Sequence, residues 1–547
     1  MHYFSKTTGC FLDKQIAKSS EVANLKRNQM KINQNCMHAF KFNSLALLFA
    51  LVLQLSLPTQ DAKSQNVLKG PYLIEPGKTT MIIRWEFDKK SDYTVEYKLN
   101  SKKAKQLKLA YRGTKNNAHL YEAALTGLNP NSTYYYQLVS SDNKSWFKTR
   151  TYAENQENFT FMAMGDSRSN PEIFSKIMNE SGEDNPNLII SMGDLVENGG
   201  KYEQWKDFYF SVIHGVAEST PIVSTLGDHE GEGDDGELFR YFLRDKQTVD
   251  KEWFSFDYGS AHFISLDYRY PDSKEMIDWF IKDITSSSKK WNFVYMHRPC
   301  YNLGGHGSAW GRETWPELFA KYKIDIVFSG HSHLYERFYP VKPKNEPEAS
   351  AVTYLTTGGA GAELYEVVKN ESVLACSESV NHFVKVQIAG DTLKLQSIRM
   401  DGSLLDKLLI IKNKNSFNKE YADRIIPQEM LNLLTMFNSA ITQSISSVPL
   451  YTVPIEYKLK LHPGTNEMIP FKVQLADTTG KFYFAEPVTD TLSNNKDKEV
   501  ILKIFSRDDM KFSTWGELHP ELRLKLTYEY NSRKETLVGG ALGFWPQ

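Results

Sequence analysis

The chain has 547 residues, of which 41% are hydrophobic and 24% are charged, and its formal net charge at pH 7 is −1. This length exceeds that of one compact domain, so we expect two or three domains. The near-zero charge argues against a protein that binds nucleic acid through bulk positive charge.

The first notable segment is a short apolar run, LALLFALVL, at residues 45–53. Lys41 precedes it and a polar stretch follows it. The run is too short to span a bilayer and is typical of a secretory signal. We therefore predict a signal peptide at about residues 37–62 within an N-terminal extension, 1–64, that is removed. The mature protein is then secreted, periplasmic or extracellular, with no stable membrane span. An N-terminal membrane anchor is the alternative.

Residues 65–152 contain short strand-like runs separated by turn residues, which predicts a small β-sandwich. The stretch LTGLNPNSTY at residues 125–134 resembles a conserved corner of fibronectin type III domains. We therefore predict an all-β, fibronectin type III-like domain in this part of the chain.

Residues 158–412 alternate strand-like and helix-like runs and also contain hairpin-like segments. This pattern predicts an α/β (α+β) domain in which a two-sheet sandwich is flanked by helices. Residues 413–547 hold one helical stretch followed by strictly alternating strands. We predict that they form a third, β-rich accessory domain, whose role the sequence does not indicate.

Acidic residues and histidines follow the predicted buried strands of the middle domain. Carboxyl ends of neighbouring strands meet at one edge of such a sheet, where these folds place their sites. A mixed set of carboxylates and imidazoles suits two divalent or trivalent cations, which can hold a phosphoryl group and activate water. Three aspartates and three or more histidines gather there, drawn from Asp166, Asp194, Asp228, His229, His297, His331 and His333.

These motifs, in this order, resemble the calcineurin-like metallophosphoesterases. Supporting phrases are FDYG at 256–259, HRP at 297–299, GHSHLYER at 330–337 and TGGAGA at 357–362. The fibronectin-like module narrows the resemblance, over residues 67–412, to the purple acid phosphatases and their bacterial relatives. The resemblance implies a four-layer catalytic sandwich with a dinuclear metal centre.

The same resemblance implies an enzyme that hydrolyses small phosphate monoesters by attack of a metal-bound hydroxide on phosphorus, and the predicted signal peptide implies that it is secreted. A phosphodiesterase or nucleotide pyrophosphatase on the same site is the first alternative. A degenerate, non-catalytic metal- or phosphate-binding protein is the second. Nucleic-acid binding is not expected, and a homodimer is possible.

Residue roles follow from the resemblance position by position. Asp166, Asp194 and His333 would hold one metal, and Asp194, Asp228, His297 and His331 would hold the other. His229 would face the phosphate, with Glu230 either orienting it or starting a helix. His306 would lie over the leaving group and Arg168 would contact the phosphate, although either could instead be an ordinary loop residue.

Two positions depart from the purple pattern. Glu197 stands where the purple enzymes have the tyrosine that binds ferric iron, so an Fe(III)–tyrosinate centre is not expected. Glu197 is then either a substitute ligand or a turn carboxylate. Asp228 replaces the usual asparagine, which moves one negative charge to the second metal. We expect two metal ions drawn from Fe, Zn or Mn, with a preference for the divalent state.

Several other residues are expected to be structural. His262 lies within a strand-like run and is interpreted as a core histidine, and Tyr335 and Arg337 are interpreted as structural residues. Cys300 and Cys376 could either pair or remain as two unpaired thiols.

Overall fold

The structure is a computed structural model that describes residues 66–539, except 101, 140–144, 245–250, 413–418, 444–454, 477–482 and 507–522. The predicted signal peptide at about 37–62 lies outside the described residues. Among the helices that are described, none is both long and apolar enough to cross a membrane. All described residues belong to one compact unit, and the predicted domain boundaries at 65–152, 158–412 and 413–547 stay predictions.

The N-terminal part is a β-sandwich of two four-stranded sheets, ordered β1-β2-β6-β5 and β4-β3-β7-β8. Aromatic side chains fill the space between the sheets, and the rings of Phe87 and Tyr93 stack with centroids 3.6 Å apart. The strands are β1 Val67–Leu73, β2 Met81–Phe87, β3 Thr94–Leu99, β4 Lys105–Lys108, β5 Ala110–Lys115, β6 Ala118–Leu125, β7 Thr133–Leu138 and β8 Phe147–Arg150.

A buried arginine fastens this sandwich to the next part of the chain. Arg84 of β2 pairs with Glu122 of β6 at 2.9 Å, on the face of the sheet opposite the sandwich core. Its guanidinium also donates to the carbonyl oxygens of Phe242, at 2.7 Å, and Arg244, at 2.8 Å. Breaking a buried, fully bonded ion pair is costly, so these bonds fix the orientation of the sandwich.

The middle part alternates strands and helices as predicted. Its elements are β9 Asn158–Met164, α1 Pro171–Glu183, β10 Leu188–Ser191, α2 Tyr202–Gln204, a π-helical turn Trp205–Phe210, α3 Ser211–Ile213, β11 Ile222–Ser224, α4 Asp228–Gly231, α5 Glu237–Leu243, β12 Phe254–Tyr258, β13 Ala261–Ser265, α6 Lys274–Ser286, β14 Trp291–Met296, α7 Trp315–Lys321, β15 Ile326–Ser329, β16 Tyr335–Phe338, β17 Val341–Lys342, a 3-10 turn Glu348–Ser350, β18 Thr353–Thr357, β19 Leu374–Glu378, β20 His382–Ala389, β21 Thr392–Arg399, β22 Leu404–Lys412 and β23 Lys419–Tyr421.

Two seven-stranded sheets form the centre of this part, ordered β11-β10-β9-β20-β21-β22-β23 and β12-β13-β14-β15-β18-β16-β19. Strands β9 to β11 run parallel, and so do β13, β14, β15 and β18. The sheets share one apolar core. In it, the ring centroid of Phe161 in the first sheet lies 5.1 Å from those of Phe263 and Phe293 in the second. Helix α1 packs on the first sheet and helices α6 and α7 pack on the second.

The C-terminal part consists of one long helix and short sheets. The predicted helical stretch is confirmed as α8, and its apolar residues join the same core as the second sheet and the C-terminal strands. Its elements are β24 Ile426–Pro427, α8 Gln428–Gln443, β25 Ile455–Leu461, β26 Ile469–Leu475, β27 Tyr483–Phe484, β28 Val488–Leu492, β29 Lys498–Ser506, β30 Leu524–Tyr530 and β31 Arg533–Val538.

The residues interpreted as structural have clear structural partners. Arg337 pairs with Asp406, at 2.5 Å, and with Asp423. The Tyr335 hydroxyl donates to the same Asp406 at 2.7 Å. Cys300 and Cys376 are both free thiols, which decides between the two alternatives left open for them.

His262 is confirmed as a core histidine. Its Nδ1 lies 2.8 Å from Asp257 and its Nε2 lies 2.9 Å from Asp283, while Lys289 lies 3.6 Å from Asp257. Burial disfavours the imidazolium, but the two carboxylates outweigh it and raise the pKa of His262 to about 9. The histidine is therefore a buried cation that joins β12, β13 and α6.

We predict a stability loss at alkaline pH that depends on His262. A folded-state pKa above the unfolded value contributes stability that is complete below about pH 6.5 and is lost as pH rises through about 9. For His262→Asn, urea unfolding should show a free energy of unfolding lower by roughly 3 kcal/mol or less at pH 6. The difference should narrow at pH 10. The exposed Asp278→Asn on the same helix is the control, and an equal deficit for His262→Asn at both pH values would contradict the prediction.

Candidate metal centre

Three candidate ligands occupy an unusual backbone conformation. Asp166 follows β9, Asp194 follows β10 and His331 follows β15, with φ values of 60°, 54° and 68°. Residues other than glycine rarely adopt this left-handed region, and such strain concentrates at functional sites. The three strand tips therefore turn sharply at the edge where the two parallel regions end.

Glycines let the carboxylates come this close to the backbone. A Cβ added to Gly330 would lie 2.4 Å from Oδ2 of Asp166, and one added to Gly227 would lie 2.4 Å from Oδ1 of Asp194. Real Cβ atoms do not approach so closely. Gly227 and Gly330 are thus required by the positions of the Asp194 and Asp166 carboxylates.

All six predicted ligands come together at this edge. Nε2 of His297 lies 3.4 Å from Asp194 and 3.7 Å from Asp228, and Nδ1 of His331 lies 3.0 Å from Asp228. Nε2 of His333 lies 3.5 Å from Asp166. Two triads have ligand atoms that all lie within 4.8 Å of one another: Asp228, His297 and His331, and Asp166, Asp194 and His297.

His297 and His333 turn their Nε2 atoms toward the carboxylates. Nδ1 of His297 donates to the Met192 carbonyl at 2.8 Å, and Nδ1 of His333 donates to the Glu363 carbonyl at 2.7 Å. A carbonyl only accepts, so in the neutral ring each Nε2 carries a lone pair. Nε2 of His297 is buried and has no hydrogen-bond partner among the residues that the structure describes. Lone pairs facing carboxylate oxygens fit metal ions between them, with the carbonyls fixing the tautomer.

The charges at the centre also fit a cation. Burial, and then the neighbouring Asp194, raise the pKa of Asp166 well above its usual value. Burial lowers the pKa of His333 to about 4, so this imidazole is neutral at pH 7. Buried carboxylates beside neutral imidazoles are stabilised by a bound metal, which the donor set suits.

Asp228 has a partner that the sequence reasoning missed. The guanidinium of Arg298 forks onto its carboxylate with contacts of 2.9, 3.1 and 2.9 Å. Burial opposes ionisation, but His331 and Arg298, with nearby His297, hold the pKa of Asp228 below its usual range. Arg298 directly follows the predicted ligand His297 in the HRP phrase, and this adjacency was the sequence signal that it lies near the metal centre.

Glu197, at the position of the missing tyrosine, also pairs with an arginine. Its carboxylate accepts from Arg168 at 2.9 Å and from the Ser169 hydroxyl. Arg168 lies 3.3 Å from Asp194 and 3.4 Å from Nε2 of His333. The guanidinium that was predicted to contact phosphate therefore lies at the centre and is bonded to protein groups there.

The other two predicted catalytic residues lie around the metal ligands. Nδ1 of His229 donates to the Glu197 carbonyl at 2.7 Å, and its Nε2 lies 3.8 Å from Asp194. Nδ1 of His306 lies 3.4 Å from Nε2 of His331. Glu230 does not orient His229. It accepts backbone N–H groups at the start of α4 and after β10, from Asp194, Leu195, Val196 and Gly227.

The loop that carries His306 is held from two sides. The buried carboxylate of Glu336 accepts from the N–H groups of Leu303, at 2.8 Å, and Gly304, at 3.1 Å. From the C-terminal helix α8, Asn438 donates to the Leu303 carbonyl at 2.9 Å. The C-terminal part thus supports a loop at the candidate site, which the sequence did not indicate.

Tyr365 is a further residue that the sequence reasoning missed. Its ring stacks on His333 with centroids 4.3 Å apart and on His306 with centroids 5.5 Å apart. The ring planes are within 14° of parallel in both pairs. One aromatic ring therefore aligns a candidate metal ligand with a candidate catalytic histidine. Its position three residues after the TGGAGA phrase was the only signal.

Family comparisons agree with this fold and site. Residues 159–335 match the model for calcineurin-like phosphoesterase, and residues 72–153 match the purple acid phosphatase N-terminal domain. The chain thus contains a calcineurin-like phosphoesterase domain preceded by a purple acid phosphatase N-terminal domain. This pair of domains makes it similar to the purple acid phosphatases, the resemblance that the motifs predicted.

Individual relatives are distant. A phosphoenolpyruvate phosphatase of Allium cepa is 28% identical over 44% of this chain and 57% of its own length. Acid phosphatase type 7 of Danio rerio is 23% identical over 62% of this chain and 90% of its own. The structure of purple acid phosphatase PPD1 from yellow lupin (Lupinus luteus) has a TM-score of 0.54 at 19% identity, over 63% of this chain and 75% of that one. At that identity, the structural similarity concerns the fold.

We predict that the ring of Tyr365, not its hydroxyl, supports the centre. Tyr365→Ala should lower the retained metal-to-protein ratio and hydrolysis by up to about tenfold, because both imidazoles lose an aromatic neighbour. Tyr365→Phe keeps the ring and should resemble the wild type. Elemental analysis after dialysis against a chelator, together with a phosphatase assay, measures both. Equal losses in Phe and Ala variants would show that stacking is not the cause.

Proposed function

We propose that the protein is a dinuclear-metal phosphomonoesterase acting on small phosphate esters. The observation that carries this proposal is the convergence of six carboxylate and imidazole side chains at one edge of the sheets, where the buried Nε2 of His297 has no hydrogen-bond partner among the described residues. The phosphoesterase family match supports the reaction class. The names of the Allium cepa and Danio rerio relatives, both phosphatases, support a phosphatase.

The ligands divide into two sets that share Asp194. Asp166, Asp194 and His333 would hold one metal, and Asp194, Asp228, His297 and His331 the other. When bound, such a pair supplies Lewis acidity that offsets phosphoryl charge and makes water a stronger nucleophile. The short distances between carboxylates and imidazoles support these sets.

The protein's own groups would bind phosphate and move protons. Because Nδ1 of His229 donates to a carbonyl, its Nε2 would donate to a phosphoryl oxygen, or protonate a leaving alkoxide, in the imidazolium form of the ring. His306, at the outer side of His331, would face the leaving group. Arg168 would act mainly by holding Asp194 and His333 in place.

We further propose a preference for divalent ions such as Zn²⁺, Mn²⁺ or Fe²⁺. Glu197 replaces tyrosinate and is bonded to Arg168, so no phenolate donor supports ferric iron at that position. The extra anion at Asp228 is balanced by Arg298. That balance also argues against the non-catalytic alternative, since the added charge no longer faces phosphate uncompensated.

The finer structural and cellular assignments belong to the same proposal. The two four-stranded sheets at the N-terminus support a fibronectin type III-like domain, and the helices outside paired sheets support a four-layer catalytic sandwich. Secretion rests on the apolar run at residues 45–53. A homodimer would be tested by light scattering.

We expect p-nitrophenyl phosphate to be hydrolysed faster than bis(p-nitrophenyl) phosphate, with activity lost to chelators and restored by Zn, Mn or Fe. The purified protein should lack a visible charge-transfer band. A faster diester reaction would favour the phosphodiesterase alternative. No hydrolysis with any metal would overturn the proposal, and tightly held Fe(III) with a visible band would overturn the metal assignment.

We also expect Asp228→Asn to lower metal content and activity by about tenfold or more, because it removes an anionic ligand and leaves Arg298 without its counter-charge. The double variant Asp228→Asn with Arg298→Gln removes both charges and should recover part of the loss. Metal content and hydrolysis of p-nitrophenyl phosphate are the readouts. A double variant no better than Asp228→Asn would show that the pair is not a charge balance.

A further inference from the structure

An open cleft of about 580 Å³ lies beside the candidate metal centre. Arg298 lines it and also pairs with Asp228, and Tyr268 lines it with its ring 5.7 Å from that of His297. The loop that follows His306 forms another wall. The volume suits a small organic group. A phosphate ester held at the metals could therefore extend its leaving group into this cleft.

Three arginines line the cleft, and two of them have carboxylate partners. Arg269 pairs with Asp267 at 2.8 Å and with Asp235 at 2.9 Å. Arg298 pairs with Asp228 at 2.9 Å. These two cations are already balanced by the protein and offer little net charge to a ligand.

Arg312 is different. Its Nε donates to the Cys300 carbonyl and its Nη2 to the Ser308 carbonyl, both at 2.9 Å. Within the described chain it forms no ion pair with a carboxylate, and its Nη1 makes no hydrogen bond. Burial lowers the pKa of Arg312, which reflects the cost of this unbalanced cation. An anion in the cleft would offset that cost.

The surroundings hold this guanidinium in place. Two carbonyl bonds fix its plane, and its Cζ lies 5.4 Å from the Tyr301 ring. Trp310 forms a further wall, anchored by its indole N–H to the Tyr268 carbonyl at 2.7 Å. A preformed donor loses little freedom when it binds, so such a site favours a planar anion.

We propose that Arg312 forms a subsite for a carboxylate on the leaving group, so that the enzyme prefers phosphate monoesters of carboxylate-bearing alcohols or phenols. A single charge matches the single unbalanced guanidinium, whereas Asp272 and Glu313 on the same cleft disfavour a dianion. The inference rests on the proposed phosphomonoesterase function.

The test uses two pairs of substrates at pH 6. Each pair consists of a carboxyphenyl phosphate, substituted at position 3 or 4, and the nearly isosteric carbamoylphenyl phosphate with its amide at the same position. The wild type should favour the carboxylate in kcat/KM by about tenfold for at least one isomer, as a charge-assisted hydrogen bond would give. Arg312→Gln should abolish the preference and Arg312→Lys should keep part of it. Glu313→Gln, which removes a nearby negative charge, should increase it.

The outcomes separate the subsite from the function. If the wild type hydrolyses the carboxylate and the amide of each pair with equal kcat/KM, the subsite is overturned and the phosphomonoesterase function is not. Failure to hydrolyse any monoester with any metal would overturn the function and the subsite with it. If Arg312→Gln does not fold, the subsite is tested by comparing inhibition of the wild type by 4-hydroxybenzoate and by 4-hydroxybenzamide. Stronger inhibition by the carboxylate supports the subsite, and equal inhibition overturns it.

Discussion

The buried carboxylates of Asp166 and Asp194 impose the constraint around which the site is arranged. Two like charges lie at neighbouring strand tips, and each accepts a backbone N–H, from His331 and His229 respectively. Both residues have left-handed backbones, closely fitting glycines leave room for their carboxylates, and the buried Glu230 carboxylate accepts the N–H of Asp194. Such an arrangement is stable when a cation is shared among the carboxylates and imidazoles.

The two departures from the purple pattern have a common physical form. In each, a carboxylate stands where the purple enzymes use another donor, and in each an arginine neutralises it. Glu197 pairs with Arg168 and Asp228 with Arg298. The protein thereby balances the additional negative charge locally with its own arginines.

Strand-tip ligands were predictable because each follows a buried apolar run, and parallel strands place such positions at one edge. Charge partners were not predictable, because their identity depends on where loops meet. Arg298 and Asp228 are 70 residues apart in the chain. Tyr365 contacts His333 and His306 only after the loop that carries it folds back. His262 was recognised as a core residue, but its two carboxylate partners come from separate elements.

Helix α8 shows that the region recognised by family similarity is smaller than the unit that must fold together. Asn432 of this helix accepts the Tyr301 hydroxyl at 2.8 Å, and Asn438 bonds to Leu303 on the same loop. A fragment ending at residue 412 would strip these partners and expose the apolar surface beneath them. Recombinant design, chimeras and truncation mapping of this protein should therefore treat the C-terminal segment as part of the catalytic scaffold.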